Sequence, residues 1–554
     1  MTQSIPADFQ DDLSDQKNIH EKVAVISDNP TYISNLATNT IPLPLSYTAI
    51  EENQPDSIVA QSFESALDDE QVSAVHLYLE TVREVSTLSH AALKAVRKGV
   101  PVVILRGGRS APGKRAAQQP SLNGISDEGI LNALFERLGF IQCTSLEETV
   151  ETLKMLIYGG RPLGNKLAIS TGSVASSVLA SDMATSAGLN VPTLEESVST
   201  FITPLNRNEA VPGNPLHLAE EVESQSKIYR SFLAGSFDVA VQIKEPSDDW
   251  SQVSDLFFKE AKNQSMPSVF INTSNEQIPS AIFDTLIANG AAPLNGMHFG
   301  FKAITNAVNF VDHMVLMAQM PTGAIVLPTV DNLIQTVQVD EVEGKRLLYG
   351  AGVSVPKAAV IEGSSAIGLN ELSFPVVLKA VAADLTHKTE LGAVKLSINS
   401  DEALRQTLFD MNDWLDSVDL RGFLIEEMVT DGIGELLVGV RHVAEVGQVL
   451  TLAFGGVTVE LLGDAKTIIL PASSSEIEQA LRSLRLFPTI NGWRGKPAAD
   501  IDQVVESISL ICNYALSQRD RLFALEINPL IVRPAPHNPV AADAVFQFGE
   551  KAKE

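Results

Sequence analysis

The sequence predicts an α/β chain in which two similar strand–helix units are followed by an α+β module. Short β-branched runs such as 22–27 (KVAVIS) and 101–108 (PVVILRGG) alternate with helical patterns, and a second such series begins at Lys166. From Asp340 onward, extended runs follow one another with fewer helices between them. Because alternating strands and helices form parallel sheets, the first two units are predicted to be parallel α/β folds.

The first unit follows a polar stretch, 1–21, that we interpret as a flexible tail. Its strands are KVAVIS, HLYLE and PVVILRGG, and SHAALKAVRKG between the last two has a helical pattern. No GxGxxG fingerprint follows the first strand, so we predict a flavodoxin-like fold rather than a dinucleotide-binding one. We place this unit at 22–162.

The second unit repeats the pattern over 163–318. KLAIS, DVAVQI and SVFIN are its strands, TGSVASS is a small-residue loop, and VLASDMATSAGL is a helix. The prolines of PTGAIVLPTVDN indicate a linker, placed at 319–335. The remaining residues, 336–554, form the α+β module, with strands such as GFLIEEMV, ELLVGVRH, FALEINPLIV and AADAVFQF.

The composition argues against several classes of protein, including nucleic-acid-binding and membrane proteins. The formal net charge of −28 disfavours nucleic acids and anionic membranes as partners. No run approaches the roughly 20 apolar residues of a membrane span. Cys143 and Cys512 lack metal or disulfide spacing, and the first twenty residues lack an apolar signal core, so we expect a cytoplasmic protein.

The last module contains groups suited to nucleotide chemistry. Lys379 closes an apolar strand and, with its ammonium at a cleft, could neutralise phosphate, although such lysines more often only extend their ammonium to solvent. Glu526 and Asn528 are two apart on a strand and share a face, and Asp543 is placed on a following strand. Their oxygens are hard ligands suited to Mg²⁺, whereas the simpler interpretation is a polar strand face.

Loop residues offer weaker signals. His387, in HKTELGAV, could accept a phosphoryl group, but a surface histidine beside a lysine usually has no function. Gly455 and Gly456 could let backbone N–H groups approach phosphate, or could only form a turn. Ser173, between a strand and a helix, is more typical of a helix cap than of an anion site.

Together and in order, these motifs resemble the NDP-forming acyl-CoA synthetases, relatives of succinyl-CoA synthetase. FPVVLK, HKTELGAV, EEMV, GELLVGVR, FGGVTVELLGD, GWRGKP and ALEINPL are similar to that family's ATP-grasp motifs. The resemblance implies that the last module is an ATP-grasp domain and that the first two units are succinyl-CoA-synthetase-like domains. It also implies ATP and Mg²⁺ as cofactors, CoA as a co-substrate and a small carboxylic acid as substrate.

The resemblance further implies roles for individual residues. Lys379 would contact nucleotide phosphate, Glu435 would lie near the ribose and phosphates, and His387 would be a phosphoryl relay. In the first unit, Glu80 of YLETV matches an acid near the family's phosphohistidine. Two further sets are implied: an adenine hinge of Glu426, Glu427, Met428 and Val429, and a Mg²⁺ site of Glu526, Asn528 and Asp543.

The chain also departs from the family pattern. Gln119 or Pro120 stands where the phosphohistidine is expected, and the closest histidine, His90, is on a predicted helix. His217 replaces an aspartate after GNP, and the family's N-terminal CoA-binding domain has no counterpart. Either a partner subunit therefore supplies CoA binding, or CoA is not the acceptor. We expect the chain to assemble with such a CoA-binding partner or to form a homo-oligomer.

Two function classes follow. The first is an ADP-forming acid–CoA ligase that acts through an acyl phosphate, with a non-CoA acceptor as a variant. The second is a degenerate nucleotide-binding subunit that regulates or scaffolds a partner, which the loss of the loop histidine favours. The ion and phosphate set around Lys379 and Asp543 favours the ligase.

Overall fold

The structure is a computed structural model that describes residues 22–38, 41–49, 57–82, 84–116, 127–205, 213–217, 224–244, 251–273, 276–319, 327, 333–361, 372–381, 393–414, 422–455 and 463–551. These residues form two compact units. The first contains described residues up to 116 and from 135 to 319, and the second contains 127–134 and described residues from 327 to 551. No described helix is both long enough and apolar enough to cross a bilayer.

The first unit contains two five-stranded parallel sheets, ordered β2-β1-β3-β4-β5 and β10-β9-β8-β6-β7. The strands of the first sheet are β1 Lys22–Ser27, β2 Leu45–Ala49, β3 Val72–Leu79, β4 Val102–Arg106 and β5 Phe140–Cys143. Those of the second are β6 Leu167–Thr171, β7 Leu216–His217, β8 Val239–Lys244, β9 Ser268–Asn272 and β10 Ala291–Asn295. The central strands are almost wholly buried, as expected for parallel sheets covered on both faces. The predicted tandem flavodoxin-like folds are confirmed.

Helices alternate with these strands along the chain. They are α1 Pro30–Thr38, α2 Ser57–Ala66, α3 Val85–Arg97, α4 Ala111–Ala116, α5 Glu128–Arg137, α6 Leu146–Tyr158, α7 Val174–Ser186, α8 Glu196–Ile202, α9 Gln225–Leu233, α10 Ser251–Asn263, α11 Ser280–Ala288 and α12 Met297–Gln319. One apolar cluster contains residues of both sheets, for example Val25 and Ile169, together with Met155 of α6 and Phe301 of α12. The two flavodoxin-like folds therefore share a core.

The second unit contains two antiparallel sheets. The large sheet has the order β11-β21-β19-β16-β17-β18, with β20 on β19, and the small sheet has the order β12-β15-β13-β14. The large sheet comprises β11 Leu333–Val339, β16 Gly434–Val443, β17 Gly447–Phe454, β18 Ala465–Ile469, β19 Leu522–Val532, β20 Val540–Ala541 and β21 Val545–Lys551. The small sheet comprises β12 Ala358–Ile361, β13 Val376–Val381, β14 Val394–Ile398 and β15 Gly422–Glu427. The helices of this unit are α13 Glu341–Gly350, α14 Asp401–Trp414, α15 Ser474–Ser483, α16 Phe487–Ile490 and α17 Ile501–Ser517, with a 3₁₀ turn at Trp493–Gly495.

One face of the large sheet is covered and the other carries polar groups. Burial alternates along β16, and Val438 belongs to the same apolar cluster as Ile477 of α15. Alternate residues of β16 and β19 point to the opposite face, where Glu435, Glu526 and Asn528 are exposed. This exposed face thus carries two of the predicted metal ligands, Glu526 and Asn528, and one predicted nucleotide contact, Glu435.

Three details differ from the sequence-based expectations. Helix α7 begins at Val174, inside TGSVASS, because the Ser173 hydroxyl accepts a hydrogen bond from the Ser176 amide and caps the helix. Strand β11 begins at Leu333, inside the stretch predicted as a linker, and pairs with β21. Asp543 does not lie on a strand, because the pairing stops between β20 and β21.

Candidate nucleotide and metal site

Two of the predicted metal-binding residues, Glu526 and Asn528, lie on the exposed face of the large sheet, and the third, Asp543, lies in the connection next to them. Glu526 of β19 is opposite Val545 of β21, and the pairing of β19 with β20 keeps the same register. This common register places Asn528 opposite Asp543, although Asp543 itself lies between the two strands. Glu526 is two residues from Asn528 and shares its face. The backbone therefore brings the three predicted Mg²⁺ ligands side by side.

The short connection that carries Asp543 is held by the backbone. The Ala542 amide donates to the Pro529 carbonyl at 3.0 Å, and the Ala544 amide donates to Asp543 Oδ1 at 2.8 Å. One carboxylate oxygen of Asp543 is thus oriented by its own chain. The two carboxylates and one amide of the predicted set supply hard oxygen donors, and nucleotide phosphate oxygens could complete the coordination. The donor set fits Mg²⁺.

This set differs from a metal site built by protein alone. Among the residues that the structure describes, no group of three or more His, Cys, Asp or Glu side chains is arranged to hold a metal ion. The predicted set has only two carboxylates, which is the arrangement expected when phosphate supplies the remaining ligands. The assignment of Glu526, Asn528 and Asp543 to Mg²⁺ stays a prediction.

Lys379 is in the middle of β13 and is buried, whereas the sequence placed it at the end of a strand beside a cleft. Its ammonium donates to Glu341 at 2.6 Å, contacts Glu426 at 3.0 Å and donates to the Ala542 carbonyl at 2.6 Å. Ala542 immediately precedes Asp543, so the lysine lies beside the predicted metal site. Burial alone would lower the pKa of Lys379, but the charges of Glu341, Glu426 and Asp543 outweigh it and raise the pKa.

A second lysine, which no sequence motif indicated, shares these partners. Lys345 of α13 contacts Glu426, lies 2.9 Å from Glu341 and donates to the Ala542 carbonyl at 2.7 Å. We call Glu341, Lys345, Lys379 and Glu426 the lysine–glutamate ring. All four side chains are at most 8% exposed. Burial, and then the positive charge of Lys379, lower the pKa of Lys345.

The predicted adenine hinge begins at the end of β15. The Glu426 side chain faces the lysine–glutamate ring, so it is not directed toward a base. The Glu427 carboxylate accepts a hydrogen bond from the Ser373 amide at 2.9 Å. Both side chains of this glutamate pair therefore have structural partners.

The backbone of the hinge is also partly engaged. The amides of Glu427 and Met428 donate to the carbonyls of Lys357 and Pro375, both at 2.9 Å. These two N–H groups are consequently not available to a base. Recognition of adenine would fall to other backbone groups of the hinge, including those of Val429, and the role of the hinge stays a prediction.

Glu435 and Gly455 lie against each other where β16 pairs with β17, and this contact engages the Gly455 N–H group that the sequence offered to phosphate. The Gly455 amide donates to the Glu435 carbonyl at 2.6 Å, and a Cβ atom at Gly455 would lie 3.3 Å from the Glu435 Cβ. Glycine permits this close approach of the two backbones. Gly456 and His387 lie outside the described residues, so the glycine pair and the predicted phosphoryl relay stay predictions.

Glu80 is in the first unit, at the carboxyl end of β3. One oxygen accepts from Asn29 at 2.8 Å and from the Tyr78 hydroxyl at 3.2 Å. Burial, and then the charge of Glu80, raise the pKa of Tyr78 to about 12. A Cβ atom at Gly107 would lie 2.6 Å from the Tyr78 hydroxyl, so only glycine fits there without displacement. Glu80 is therefore held in place, and its catalytic role stays a prediction.

The GNP motif of the second flavodoxin-like fold has a structural function. The Asn214 side chain accepts from the Ile169 amide at 2.9 Å and donates to the Leu167 carbonyl at 2.7 Å. It thereby ties its loop to β6. His217, which follows the motif, contacts the Thr171 carbonyl at 3.4 Å through Nδ1.

Comparisons with known proteins agree with this architecture. Residues 335–548 match the family of ATP-grasp domains, and residues 22–156 match the succinyl-CoA ligase-like flavodoxin domain. The fold and these matches therefore define a protein that carries an ATP-grasp domain and a succinyl-CoA ligase-like flavodoxin domain.

Individual proteins of known activity are also similar to this chain. It is 25% identical to a trans-feruloyl-CoA synthase from an unknown prokaryotic organism, over 95% of this chain and 76% of that protein. It is 24% identical to the ADP-forming acetate–CoA ligase I of Archaeoglobus fulgidus, over 84% of this chain and 68% of the ligase. The β subunit of the ADP-forming acetate–CoA ligase I of Pyrococcus furiosus is 28% identical over 34% of this chain and 84% of the subunit. The chain is thus a homologue of ADP-forming acyl-CoA ligases over most of its length.

Proposed function

We propose that this chain is an ATP-dependent ligase that joins a carboxylic acid to CoA and forms ADP. The observation that carries the proposal is the placement of Glu526, Asn528 and Asp543 beside Lys379. Oxygen donors for a divalent cation and a protonated amine for phosphate then lie next to the same short connection, at Ala542. Such a site is suited to phosphoryl transfer, in which catalysis is mostly positioning and electrostatic stabilisation.

The proposed ligase reaction has two steps, formation of an acyl phosphate and its conversion to an acyl-CoA. A carboxylate oxygen of the substrate attacks the γ-phosphorus of ATP, and the bond to the β-phosphate oxygen breaks, which gives an acyl phosphate and ADP. The sulfur of CoA then attacks the acyl carbon, and inorganic phosphate leaves while the thiol proton passes to solvent or to phosphate. When bound, Mg²⁺ would neutralise the phosphate charge that develops in the first step.

Two groups of residues share the electrostatic work of the first step. Glu526, Asn528 and Asp543 would hold the cation. Lys379 would neutralise phosphate from the small sheet. Opposite charges would then meet the nucleotide at one place, which positions the γ-phosphate for transfer.

Other residues have proposed roles that depend on this placement. His387 is proposed either to carry the phosphoryl group transiently or to orient it. Glu435, beside Gly455, is proposed to lie near the ribose and phosphates. Glu80, in the first unit, is a candidate acid for the handling of a phosphoryl group.

In this proposal the second step, attack by CoA, requires a CoA-binding site that a partner subunit or an assembly of this chain provides. Relatives include both long chains and a separate β subunit, which supports either a CoA-binding partner or a complete activity in an assembly of this chain. A non-CoA acceptor is the variant to test, because an amine would give an amide and the same ADP. The proposal does not specify the carboxylic acid substrate, because the relatives include an acetate–CoA ligase and a trans-feruloyl-CoA synthase.

Nucleotide binding is the first test of this proposal. Isothermal titration of the purified chain with Mg·ATP and Mg·ADP should show saturable binding. At a ligand concentration of 100 times Kd, binding to the folded state alone adds about 2.7 kcal/mol of stability and raises the melting temperature. Absence of both binding and a melting shift would exclude a nucleotide-dependent ligase.

A further inference from the structure

The lysine–glutamate ring leaves each ammonium with a full set of acceptors. A lysine ammonium has three N–H donors. Lys379 has oxygen atoms of Glu341, Glu426 and Ala542 within 3.0 Å. Lys345 contacts the same three residues. In this arrangement, Lys379 cannot donate to a phosphate without giving up one of its present partners.

The two glutamates are not equivalent partners. Glu426 lies on β15, which is adjacent to β13, and its register partner there is Val377. The pairing of the two strands therefore holds Glu426 beside Lys379. Glu341 instead begins α13, and it reaches Lys379 from a different element at 2.6 Å. Glu341 is the partner that Lys379 can exchange for phosphate at least cost to the sheet.

Lys345 makes such an exchange electrostatically feasible. The ring contains two positive and two negative side chains, so its formal charge is zero. If Lys379 turned to phosphate and Lys345 were absent, the buried Glu341 and Glu426 would lose both lysine partners, which is strongly unfavourable. Because Lys345 contacts both glutamates, it can neutralise them while Lys379 is engaged elsewhere.

We propose that Glu341 and Lys345 are positioning residues that control the availability of Lys379 to nucleotide phosphate. Glu341 competes with phosphate for the Lys379 ammonium, and Lys345 stabilises Glu341 and Glu426 when Lys379 is bound to phosphate. This inference rests on the proposed nucleotide site. It extends that site by two residues of α13 that touch neither substrate nor metal in the proposed function.

The proposal predicts opposite effects on affinity for two substitutions that both damage the ring. Glu341→Gln removes the competitor and gives the ring a net positive charge, so Mg·ATP should bind more tightly, by about tenfold. Lys345→Met gives the ring a net negative charge and leaves Lys379 held by both glutamates, so binding should weaken by about tenfold. Lys379→Met should weaken binding as well.

The experiment is isothermal titration of the full chain and its variants with Mg·ATP. The melting temperature of each protein is first recorded without nucleotide, and the titrations are run well below it, so that every variant is folded. Glu343→Gln is the matched control, because Glu343 lies on the same helix and pairs with the exposed Arg346; its affinity should equal that of the wild type. If Glu341→Gln does not fold, Lys345→Met is compared with Lys345→Arg. The arginine keeps the charge and should retain affinity within about threefold, whereas the methionine should not.

The outcomes separate this inference from the proposed function. If Glu341→Gln tightens binding while Lys345→Met weakens it, the inference holds. If the wild type binds Mg·ATP but Glu341→Gln binds equally or more weakly, or Lys345→Met binds as the wild type does, the ring is only structural and the inference fails. If the wild type binds no nucleotide, the proposed function fails, and the inference fails with it.

Discussion

Lys345 and Lys379 donate to the same backbone carbonyl, that of Ala542, at 2.7 and 2.6 Å. This shared acceptor joins α13, the small sheet and the connection that precedes Asp543. The two ammonium groups can lie so close together because Glu341 and Glu426 neutralise them. The same contacts place a cationic group beside the predicted Mg²⁺ ligands.

The ring should respond to substitution as one unit. Lys345→Met alone leaves two buried carboxylates with one lysine, Lys379, and should lower the free energy of unfolding by about 3–5 kcal/mol. The double variant Glu341→Gln/Lys345→Met restores charge balance, so its loss should be smaller than the sum of the two single losses. Urea denaturation measures all three values. Strict additivity would show that the four side chains do not act together.

The Mg²⁺ ligands can be tested separately from nucleotide binding. Asp543→Asn and Glu526→Gln should reduce the part of the ATP-induced melting shift that depends on Mg²⁺, because a carboxylate binds the cation better than an amide. The shift without Mg²⁺ should change little. Glu550→Gln is the control, since Glu550 is an exposed carboxylate on β21. A full Mg²⁺-dependent shift in both site variants would remove these residues from the metal site.

His387 carries the prediction about phosphoryl transfer. If it is the relay, γ-labelled ATP should leave an acid-labile label on the chain, and His387→Ala should abolish the label. If His387 only orients phosphate, no stable label forms on the chain. In that case His387→Ala should still lower the rate of ADP release that depends on the carboxylic acid substrate, by about 10²–10⁴-fold. His537→Ala, which alters an exposed histidine of the second unit, should retain wild-type behaviour. Unchanged labelling and ADP release in His387→Ala would exclude the histidine from the mechanism.

His76 should make the first unit sensitive to mild acid. Its Nδ1 lies 3.1 Å from the Val103 carbonyl and its Nε2 lies 2.9 Å from the Tyr32 hydroxyl, which suits a neutral ring protonated at Nδ1. Burial lowers the pKa of His76 to about 4, from 6.5. Below pH 6.5 the His76 ring binds a proton in the unfolded chain but stays neutral in the folded chain. The free energy of unfolding therefore falls as the pH decreases toward 4.

The size of this effect follows from the pKa difference. At about 1.36 kcal/mol per pH unit, His76 should account for about 3 kcal/mol of lost stability between pH 6.5 and 4. Denaturation of wild type and His76→Gln across this range would isolate the contribution, with the exposed His90→Gln as control. Equal pH dependence in wild type and His76→Gln would show that the folded protein protonates this ring as readily as the unfolded chain does.

The sequence predicted the metal-site strand well because its signal is local. ALEINPL alternates apolar and polar residues, and Glu526 and Asn528 consequently share an exposed face on β19. The order of strands and helices likewise predicted both parallel sheets. These features depend on spacing within a few residues, which the chain displays directly.

The ring could not be predicted in the same way. Glu341 and Lys345 are four residues apart on α13, a spacing that usually marks an exposed helical ion pair. Their burial depends on Lys379 and Glu426, which lie far along the chain. Only the tertiary fold brings these charges together, so the sequence predicted a phosphate contact for Lys379 but not the partners that restrain it.

The most direct test of the proposed ligase activity is product analysis with an acid panel. Purified chain, with a candidate CoA-binding partner in a parallel series, is incubated with Mg·ATP, CoA and acids that include acetate and ferulate. We expect equal amounts of ADP, phosphate and acyl-CoA with at least one acid, and none when Asp543→Asn replaces the wild type. Formation of AMP in place of ADP, or no acid-dependent product in either series, would contradict the proposed function.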